Sequence, residues 1–384
     1  MKIVAQVKLR PRSAHDADTL AATLRACNRG ANWVSVVAFD KGLKRRNELQ
    51  EEVYYDLKAT FDLSAQPAVR VVKKVVDAYA TMAGNIRAGH VTGKARRKAE
   101  SKPVVFREDA AQPFDDRCLT WNLDEQTVSI WTVAGRIKGI PFVCSPEARK
   151  MLQYRKGESD LMLRDGTFYL LATIDLPEPA AYEPDGFLGV DLGIVNIATT
   201  SDGQIMSGRK VNRYRRRMNR LRQKLQAKGT KSAKRRLKGI RRREARFAAD
   251  TNHRIAKTLV TTAERTSRGV ALEELKGIRQ RVTAKKEQRY RLHSWTFAQL
   301  GAFVEYKARR AGVPVVFVDP RNTSRQCSEC WHTHRTNRVS QVWFACRSCG
   351  VVMHADRNGS RNIAHRGEAA WQRGAVNRPN TVKV

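Results

Sequence analysis

The sequence is poor in acidic residues. Its 384 residues include 37 Asp and Glu against 73 Lys and Arg, which gives a formal net charge of +36 and a pI near 10.6. A chain this basic repels itself unless it meets a polyanion, and the commonest large polyanion is nucleic acid. Because the excess charge is spread through segments that also look folded, a basic tail does not explain it.

Long apolar runs are absent as well. No segment approaches the roughly 20 apolar residues needed to cross a bilayer. The N-terminal segment MKIVAQVKLRPR has far too few apolar residues for a secretory signal. We therefore expect a cytoplasmic protein that does not bind membranes. The chain is nevertheless 41% hydrophobic and long enough for two to four domains, each with its own core.

Cysteine is scarce over most of the chain, but four of the seven cysteines lie within residues 327–349. They form two CxxC pairs separated by fifteen residues: Cys327, Cys330, Cys346 and Cys349. Two residues between cysteines let one tight turn aim both thiolates at one ion, and two such turns complete a tetrahedral site. In a reducing compartment this spacing predicts one structural Zn²⁺ rather than disulfides. One alternative stays open, in which a nearby histidine replaces a thiolate: His332, His334 or His354.

The first half of the chain changes character twice. After an N-terminal strand, apolar residues three and four apart predict helices to about residue 85, and a basic loop or arm follows at 87–98. Short β-type runs separated by turn residues then return. We infer that a helical insert interrupts one β-module. The predicted domains are a β-barrel, formed by residues 1–13 and 103–180, and a helical domain at 14–102.

The second half begins with three predicted strands, FLGVD, IATT and QIMS, and Asp202-Gly203 is a hairpin signal between the last two. Residues 209–246 then hold 19 Lys and Arg and one acid, Glu244. Their apolar residues recur with spacings of 3, 4, 3 and 4, which indicates one face of a helix, and KGTKS breaks the pattern. We predict a helical hairpin with an apolar side and a cationic side that tracks phosphates. A further helix is predicted at about 250–267, then the strand GVALEEL, a helix near 293–311 and the strand VPVVFVD.

Several hairpin cations, together with one residue outside the hairpin, are our candidate nucleic-acid contacts. The hairpin residues are Arg215, Arg216, Arg217, Arg220, Lys234, Arg235, Arg236, Arg241, Arg242 and Arg243. Arg325, just before the first CxxC pair, is the remaining candidate and is predicted to contact the substrate phosphate. Contacts of this kind are expected to be salt-sensitive and blind to sequence.

Three acids stand out because each lies at a strand end or a helix start. Asp191 ends the first strand of the second half, Glu273 or Glu274 ends the strand GVALEEL, and Asp356 opens a helix after the cysteines. Taken alone, Asp191 could be a turn residue and Asp356 a helix N-cap. Together they form the set that two Mg²⁺ ions need to cleave a phosphodiester. The order of predicted elements also fits an RNase H-like fold.

One alternative concerns LGVDLGIVNIAT, which also resembles the first phosphate loop of actin-like and Hsp70-like ATPases. Those folds share the same strand and hairpin core, so this motif cannot decide between them. The net charge, the cysteine pairs and the lack of a second glycine-rich phosphate loop argue against an ATPase.

The order of GVDLGIVN, the basic hairpin, ALEEL, TSRQCSEC, CRSCG and HADRNGSRNI resembles the TnpB family of transposon-encoded, RNA-guided DNA nucleases related to type V CRISPR effectors. The motifs cover about residues 186–365. The resemblance implies a multidomain α/β and β architecture: a wedge-type β-barrel interrupted by a helical recognition domain, and an RNase H-like (RuvC) nuclease domain with an inserted zinc ribbon. The implied boundaries are 181–322 and 354–368 for the nuclease domain, 323–353 for the ribbon and 369–384 for a disordered tail.

The resemblance also implies the site residues. The RuvC-like triad corresponds to Asp191, Glu273 and Asp356, and only the resemblance selects Glu273 over Glu274. Asn358 and Asn362 belong to the motif that begins at Asp356. The sequence departs from the family at Trp331, where the usual residue after the first CxxC is glycine, which leaves the turn geometry there open.

The implied function is RNA-guided, Mg²⁺-dependent DNA cleavage by a transposon-encoded enzyme. A guide RNA from the transposon end would bind the basic surfaces, and double-stranded target DNA would be cut beside a short duplex motif. We expect a monomer with its RNA. Two alternatives are a nuclease-silent RNA-guided DNA-binding regulator and a compact type V CRISPR effector.

Overall fold

The computed structural model describes residues 1–275 and 297–374. The chain divides into two compact units, Met1–Pro177 and Glu178–Val384. Within the described residues, no helix combines the length and apolarity that crossing a bilayer requires. The helix predicted near 293–311 is present as Phe297–Ala311, and the first four residues of the prediction lie outside the described ranges.

The first unit contains a seven-stranded antiparallel sheet that curls into a nearly closed barrel. Its strands are β1 Lys2–Leu9, β2 Gln112–Phe114, β3 Leu119–Asn122, β4 Thr127–Thr132, β5 Gly135–Val143, β6 Arg155–Arg164 and β7 Thr167–Asp175. They pair in the order β2-β6-β7-β1-β5-β4-β3, and all seven contribute to one apolar core. The N-terminal strand β1 therefore pairs with β7 and β5, two strands that lie far from β1 in the sequence.

Helices are inserted between β1 and β2, and one more precedes β6. They are α1 Ala14–Asp40, α2 Arg46–Phe61, α3 Ala65–Arg87, α4 Gly93–Glu100 and, before β6, α5 Pro146–Leu152. Helix α1 begins where Ser13 Oγ accepts a hydrogen bond from the backbone N–H of Asp16 at 3.0 Å. Buried residues three and four apart on α1, α2 and α3 form the apolar core of the insert.

The prediction of a basic loop or arm at 87–98 is wrong for its second half, which forms α4. The segment KARRKAE is a run of good helix formers, so it forms a helix although none of its residues is buried.

The second unit is built on a five-stranded sheet with helices on both faces. Its strands are β8 Phe187–Asp191, β9 Asn196–Thr200, β10 Ile205–Ser207, β11 Gly269–Glu273 and β12 Val315–Val318. They pair in the order β10-β9-β8-β11-β12, with β8 to β10 antiparallel and β11 parallel to both β8 and β12. These are the strands and the chain order that the sequence predicts. Strands β8 and β11 read as continuous apolar runs because helices cover both sides of them.

The helices of the second unit are α6 Arg209–Lys228, α7 Lys231–Arg265, α8 Phe297–Ala311 and α9 Ala355–Gln372. Helices α7 and α8 pack on one face of the sheet, and α9 packs on the other. The predicted helical hairpin is confirmed as α6 and the first half of α7, with an apolar seam between them. The predicted separate helix at about 250–267 is wrong, because α7 continues without a break to Arg265.

The last described elements are a short 3₁₀ helix, Arg335–Asn337, and a two-stranded ribbon, β13 Trp343–Ala345 and β14 Val352–His354, which lead into α9. The predicted disordered tail from residue 369 is wrong for its first residues, because α9 runs to Gln372. Trp371 anchors this end of the helix, with its ring 5.9 Å from that of Phe187 between centroids. Residues 375–384 of the predicted tail lie outside the described ranges.

Candidate active site and zinc-binding knuckle

The four paired cysteines converge on one point. Their Sγ atoms all lie within 4.8 Å of one another, with 3.7 Å between Cys327 and Cys349 and 3.5 Å between Cys330 and Cys346. A tetrahedral site with Zn–S bonds of about 2.3 Å has S–S edges of about 3.8 Å. The cluster therefore fits a zinc ion and leaves no position open for substrate.

Two equivalent turns bring the thiols together. In the first turn, Cys327 N donates to His332 O and Trp331 N donates to Cys327 O; in the second, Cys346 and Gly350 make the same two bonds. Gly350 has a φ of +75°, and Trp331, its counterpart, has a φ of +64°. Trp331 therefore adopts the same left-handed backbone conformation as the glycine at the equivalent position of the second turn. For a residue with a Cβ, this conformation costs roughly 1–2 kcal/mol of conformational energy.

Two of the alternative histidine ligands have other partners. His354 is the N-cap of α9, where its Nδ1 accepts a hydrogen bond from the backbone N–H of Asp356. His334 Nδ1 lies 2.6 Å from Thr336 Oγ1. None of the three histidines belongs to the possible metal-binding group that the four cysteines form within the described residues.

The thiols of the metal-free knuckle do not ionise alike. Burial raises the pKa of Cys327 to about 12. Burial also opposes ionisation of Cys346, but backbone N–H groups of Cys349 and Ser348 pointing at its sulfur lower the pKa of that thiol to about 6. Cys346 therefore ionises more readily than Cys327.

Asp191 stands at the end of β8, in the middle of the sheet, opposite Thr199 of β9. Burial, and then the negative charges of Glu273 and Asp356, raise the pKa of Asp191 to about 8. The fold thus brings together three acids that are widely separated in the sequence. Burial and nearby like charges disfavour the ionised form of Asp191, and a cation bound beside it would favour that form.

Glu273 ends β11, the strand beside β8, and is 9% exposed. Its Oε1 accepts a hydrogen bond of 2.7 Å from Thr323 Oγ1. Burial raises the pKa of Glu273, which the Thr323 hydroxyl and the guanidinium groups of Arg366 and Arg338 partly offset. Of the two glutamates that end this strand, Glu273 is therefore the one whose carboxylate faces Asp191.

Asp356 lies in the first turn of α9, where a helix N-terminus favours a negative charge. Its Oδ2 accepts a hydrogen bond from Asn196 Nδ2 at 2.8 Å, and its Oδ1 lies 3.6 Å from a guanidinium nitrogen of Arg338. Three parts of the fold therefore position this carboxylate: β9 through Asn196, α9, which carries Asp356, and the segment after the 3₁₀ helix through Arg338.

Glycines let α9 lie directly against the sheet beside these acids. A Cβ on Gly189, two residues before Asp191, would lie 1.9 Å from the backbone oxygen of Ser360 in α9. A Cβ on Gly359 would lie 3.2 Å from Asp191 Oδ2. The close approach of α9 that places Asp356 near Asp191 therefore requires a glycine at position 189, the first residue of GVDLG.

Arg338 is the cation that faces all three acids. It follows the 3₁₀ helix of the ribbon, pairs with Asp356, and favours the ionised forms of Asp191 and Glu273. The sequence prediction chose Arg325 for a phosphate contact; Arg325 is exposed, and its backbone oxygen accepts a hydrogen bond from Asn337. No sequence signal separates Arg338 from the other arginines of the ribbon, because its position depends on how the ribbon folds back on α9.

Family models match both halves of this site. A model described as "Probable transposase" matches residues 172–276, and one described as "Cas12f1-like, TNB domain" matches residues 297–363. The TnpB-like protein MJ0751 of Methanocaldococcus jannaschii is 34% identical over 122 residues, which cover 32% of this chain and 43% of that protein. The resemblance to the TnpB family is confirmed.

The transposase model covers the GVDLG segment, which removes the basis for the ATPase alternative. The CRISPR-associated endodeoxyribonuclease Cas12f1 of Sulfoacidibacillus thermotolerans is 32% identical over 219 residues, 52% of this chain and 50% of that protein. The chain thus spans about half the length of the curated relatives it matches. A solved structure of the mini-RNA-guided endonuclease CRISPR-Cas_phi3 shares the fold, with a TM-score of 0.52 at 10% identity over 96% of this chain and 92% of that one.

The basic hairpin of this TnpB-like chain presents its predicted cations largely to solvent. Of the ten hairpin candidates, Arg215 is half-buried and the other nine are exposed. Glu244, the single acid of the segment, forms an ion pair with Arg222, which is not among the candidates. The exposed face is therefore almost purely positive, as a phosphate-tracking surface requires.

Proposed function

We propose that this protein is an RNA-guided DNA endonuclease of a transposon, and that Asp191, Glu273 and Asp356 form its catalytic site. The convergence of these three acids at the C-terminal ends of β8 and β11 and the start of α9, with the pKa of Asp191 raised to about 8 by burial and by the other two, carries the proposal. The names of the related proteins, among them an endodeoxyribonuclease, agree with it. The intact triad argues against the nuclease-silent regulator.

The acids fit Mg²⁺ because they offer oxygen ligands that repel one another without a cation. When bound, two such ions would supply a nucleophile from water and stabilise the leaving oxygen of a phosphodiester. Asp191, Glu273 and Asp356 would hold them. Asn196 orients the carboxylate of Asp356, and Thr323 orients that of Glu273. Arg338 is placed to bind a non-bridging phosphate oxygen once metal neutralises the acids.

The remaining parts of the proposal concern binding. The exposed cations of α6 and α7 would track a nucleic-acid backbone, and Arg325 keeps its predicted role at the substrate phosphate. The barrel and its helical insert correspond to the wedge and recognition domains, and the sheet of the second unit to the RuvC nuclease domain. One structural Zn²⁺ would hold the ribbon, and the protein would act in the cytoplasm as a monomer with guide RNA and double-stranded target DNA.

A second candidate, the compact type V CRISPR effector, is favoured by the similarity to Cas12f1. Its chemistry at the acid site would be the same, and its guide RNA would come from a repeat array instead of a transposon end. The genomic neighbourhood of the gene separates the two candidates.

The test is to purify the protein from its native context and sequence the RNA that accompanies it. We expect one abundant RNA with a variable guide end, and a complex that cuts matching DNA only when Mg²⁺ is present. Random RNA fragments, or none, would refute the RNA-guided mechanism. The acid site would then be tested on DNA without a guide, and absence of cleavage there as well would refute the nuclease.

A further inference from the structure

Residues 319–328, here called the strap, connect β12 to the first CxxC turn. One face of α9 donates hydrogen bonds to the backbone of the strap through three side chains spaced four residues apart: Asn358, Asn362 and Arg366. Asn358 Nδ2 and Asn362 Nδ2 both donate to the backbone oxygen of Gln326 at 2.7 Å, and Asn362 Nδ2 also donates to that of Thr323 at 2.9 Å. Arg366 donates to two further backbone oxygens of the strap.

The two ends of this arrangement touch the two metal sites. At one end, Asn358 Oδ1 accepts a hydrogen bond of 3.0 Å from the backbone N–H of Ser328, which lies between Cys327 and Cys330. At the other end, Thr323 Oγ1 donates to Glu273 Oε1 at 2.7 Å. A continuous set of hydrogen bonds therefore joins the CxxC turn to the acid cluster.

Burial makes these bonds hard to exchange. Asn358 and Asn362 are fully buried, and Thr323 is 4% exposed, so breaking any one bond leaves a polar group without water to replace its partner. The Thr323 hydroxyl has a single proton and a second acceptor within reach, the backbone oxygen of Pro320 at 3.0 Å. The carboxylate oxygen of Glu273 is the nearer of the two acceptors and is the stronger one when Glu273 is ionised, so it receives the proton.

We propose that Thr323 is a positioning residue for the acid cluster, and that Asn358 makes its position depend on the metal-bound state of the CxxC turn. The strap thus couples a structural zinc site to the geometry of Glu273. This inference rests on the proposed function, because it assumes that the acid cluster binds divalent cations.

The test compares Thr323→Val, which removes the donor at nearly constant shape, with Thr323→Ser, which keeps it. The probe is Mn²⁺ alone, with binding to the full chain followed by the loss of the free-ion electron paramagnetic resonance signal. We expect Thr323→Val to weaken Mn²⁺ binding about 10-fold, the lower end of the usual cost of losing such a supporting group. Thr323→Ser should stay within about 3-fold of the wild type, and elemental analysis should find unchanged zinc in both variants.

Equal Mn²⁺ affinity in Thr323→Val and wild type would overturn the positioning role, as would an equal loss in Thr323→Ser. Should Thr323→Val fail to fold, Thr323→Ala provides the same comparison with a smaller side chain. If the wild type binds no Mn²⁺, or Asp191→Asn binds it equally well, the proposed function itself fails. If Asp191→Asn loses Mn²⁺ affinity while Thr323→Val keeps it, only the positioning role of Thr323 is refuted.

The dependence on the CxxC turn is tested by Asn358→Ala alone and combined with Thr323→Val. Residues that act through one set of bonds are non-additive, so the double variant should lose no more Mn²⁺ affinity than the worse single variant. Additive losses would overturn the coupling. Hydrogen exchange of the wild type gives a second measurement: zinc chelation should speed exchange across residues 323–328, and unchanged exchange would overturn the coupling too.

Discussion

The zinc-binding knuckle and the acid cluster both gather side chains that can hold a metal, but the chain assembles them in opposite ways. The four cysteines lie within 23 residues, and two tight turns suffice to bring them together. The three acids come from two strands and a helix and meet only because the sheet places β8 beside β11 under α9. A closed thiolate set suits a structural ion, whereas a few carboxylates at the ends of neighbouring strands would leave ligand positions open for a substrate.

The comparison also shows how each cluster tolerates its own charge. Backbone N–H groups inside the second CxxC turn lower the pKa of Cys346, so the turn itself prepares that thiolate. The backbone N–H of Leu192 likewise favours the ionised form of Asp191, but burial and the two acidic neighbours outweigh it and raise the pKa of Asp191. The acid cluster therefore stores electrostatic repulsion that a cation relieves.

Replacing Asp191 should abolish chemistry without abolishing binding. We expect Asp191→Ala to slow cleavage by at least ~1,000-fold, equivalent to about 4 kcal/mol, because a carboxylate that would hold the metal is removed. RNA and target affinity should stay near the wild-type values in gel-shift assays. Asp202→Ala, which removes an acid from the hairpin of the same sheet, is the control and should cut normally. Loss of binding by a folded Asp191→Ala protein would contradict the catalytic assignment.

The two glutamates at the end of β11 form a matched pair. Glu273→Gln should lower the cleavage rate by about 100-fold or more, since its carboxylate faces Asp191. Glu274→Gln should change the rate less than about 3-fold, because successive strand residues point to opposite faces. Single-turnover cleavage rates at saturating Mg²⁺ test which glutamate belongs to the site. A larger loss of rate in Glu274→Gln than in Glu273→Gln would assign the site to Glu274.

Removing one thiolate should remove zinc. We expect Cys330→Ser to lose the single zinc ion found by elemental analysis and to destabilise the second unit by at least ~3 kcal/mol, since the metal contributes folding free energy. Cys327→Ser should behave alike. Cys144→Ser, at a half-buried cysteine outside the cluster, should keep zinc and melt normally. Normal zinc content in both knuckle variants would refute the site.

Neutralising hairpin cations should weaken binding in a salt-dependent way. We expect the triple variant R241Q, R242Q and R243Q to reduce the slope of log affinity against log salt by about 2, because each phosphate that is no longer neutralised lowers the slope by ~0.7–0.9. Cleavage of bound target should be unaffected. A triple variant of Lys44, Arg45 and Arg46 removes the same charge outside the hairpin and should keep the slope; a wild-type slope in the hairpin variant would remove it from the interface.

The smallest effect concerns stability without metal. A raised carboxyl pKa means that the folded state holds a proton that the unfolded state releases, so stability should fall as the pH rises from about 4 to 8. Asp191→Asn should remove this loss and raise the metal-free melting temperature at pH 8, by about 2–4 °C for each ~1 kcal/mol relieved. Below pH 4 the two proteins should melt alike. A less stable Asp191→Asn at pH 8 would show that the cluster is not strained.

Local patterns in the sequence were enough to predict much of this protein. The CxxC spacing specified the knuckle, the 3 and 4 spacing specified the α6 and α7 hairpin, and Asp202-Gly203 specified the turn between β9 and β10. Boundaries that depend on distant partners were missed. Helix α7 continues past residue 246, and α9 continues past residue 368 because Trp371 packs on Phe187 of β8.

The charge, the metal-binding turns, and the strands and helices with their apolar faces follow from neighbours along the chain, and the sequence predicts them. Long-range packing selects the acids that meet: it brings the charge of Glu273 to act on Asp191 and adds Arg338 and Thr323 to the cluster. The physical reason is that turns and periodicity act over a few residues. The pKa of a buried carboxylate instead depends on groups that the sheet and α9 bring from far along the chain. Burial, Glu273 and Asp356 together raise the pKa of Asp191 in this way.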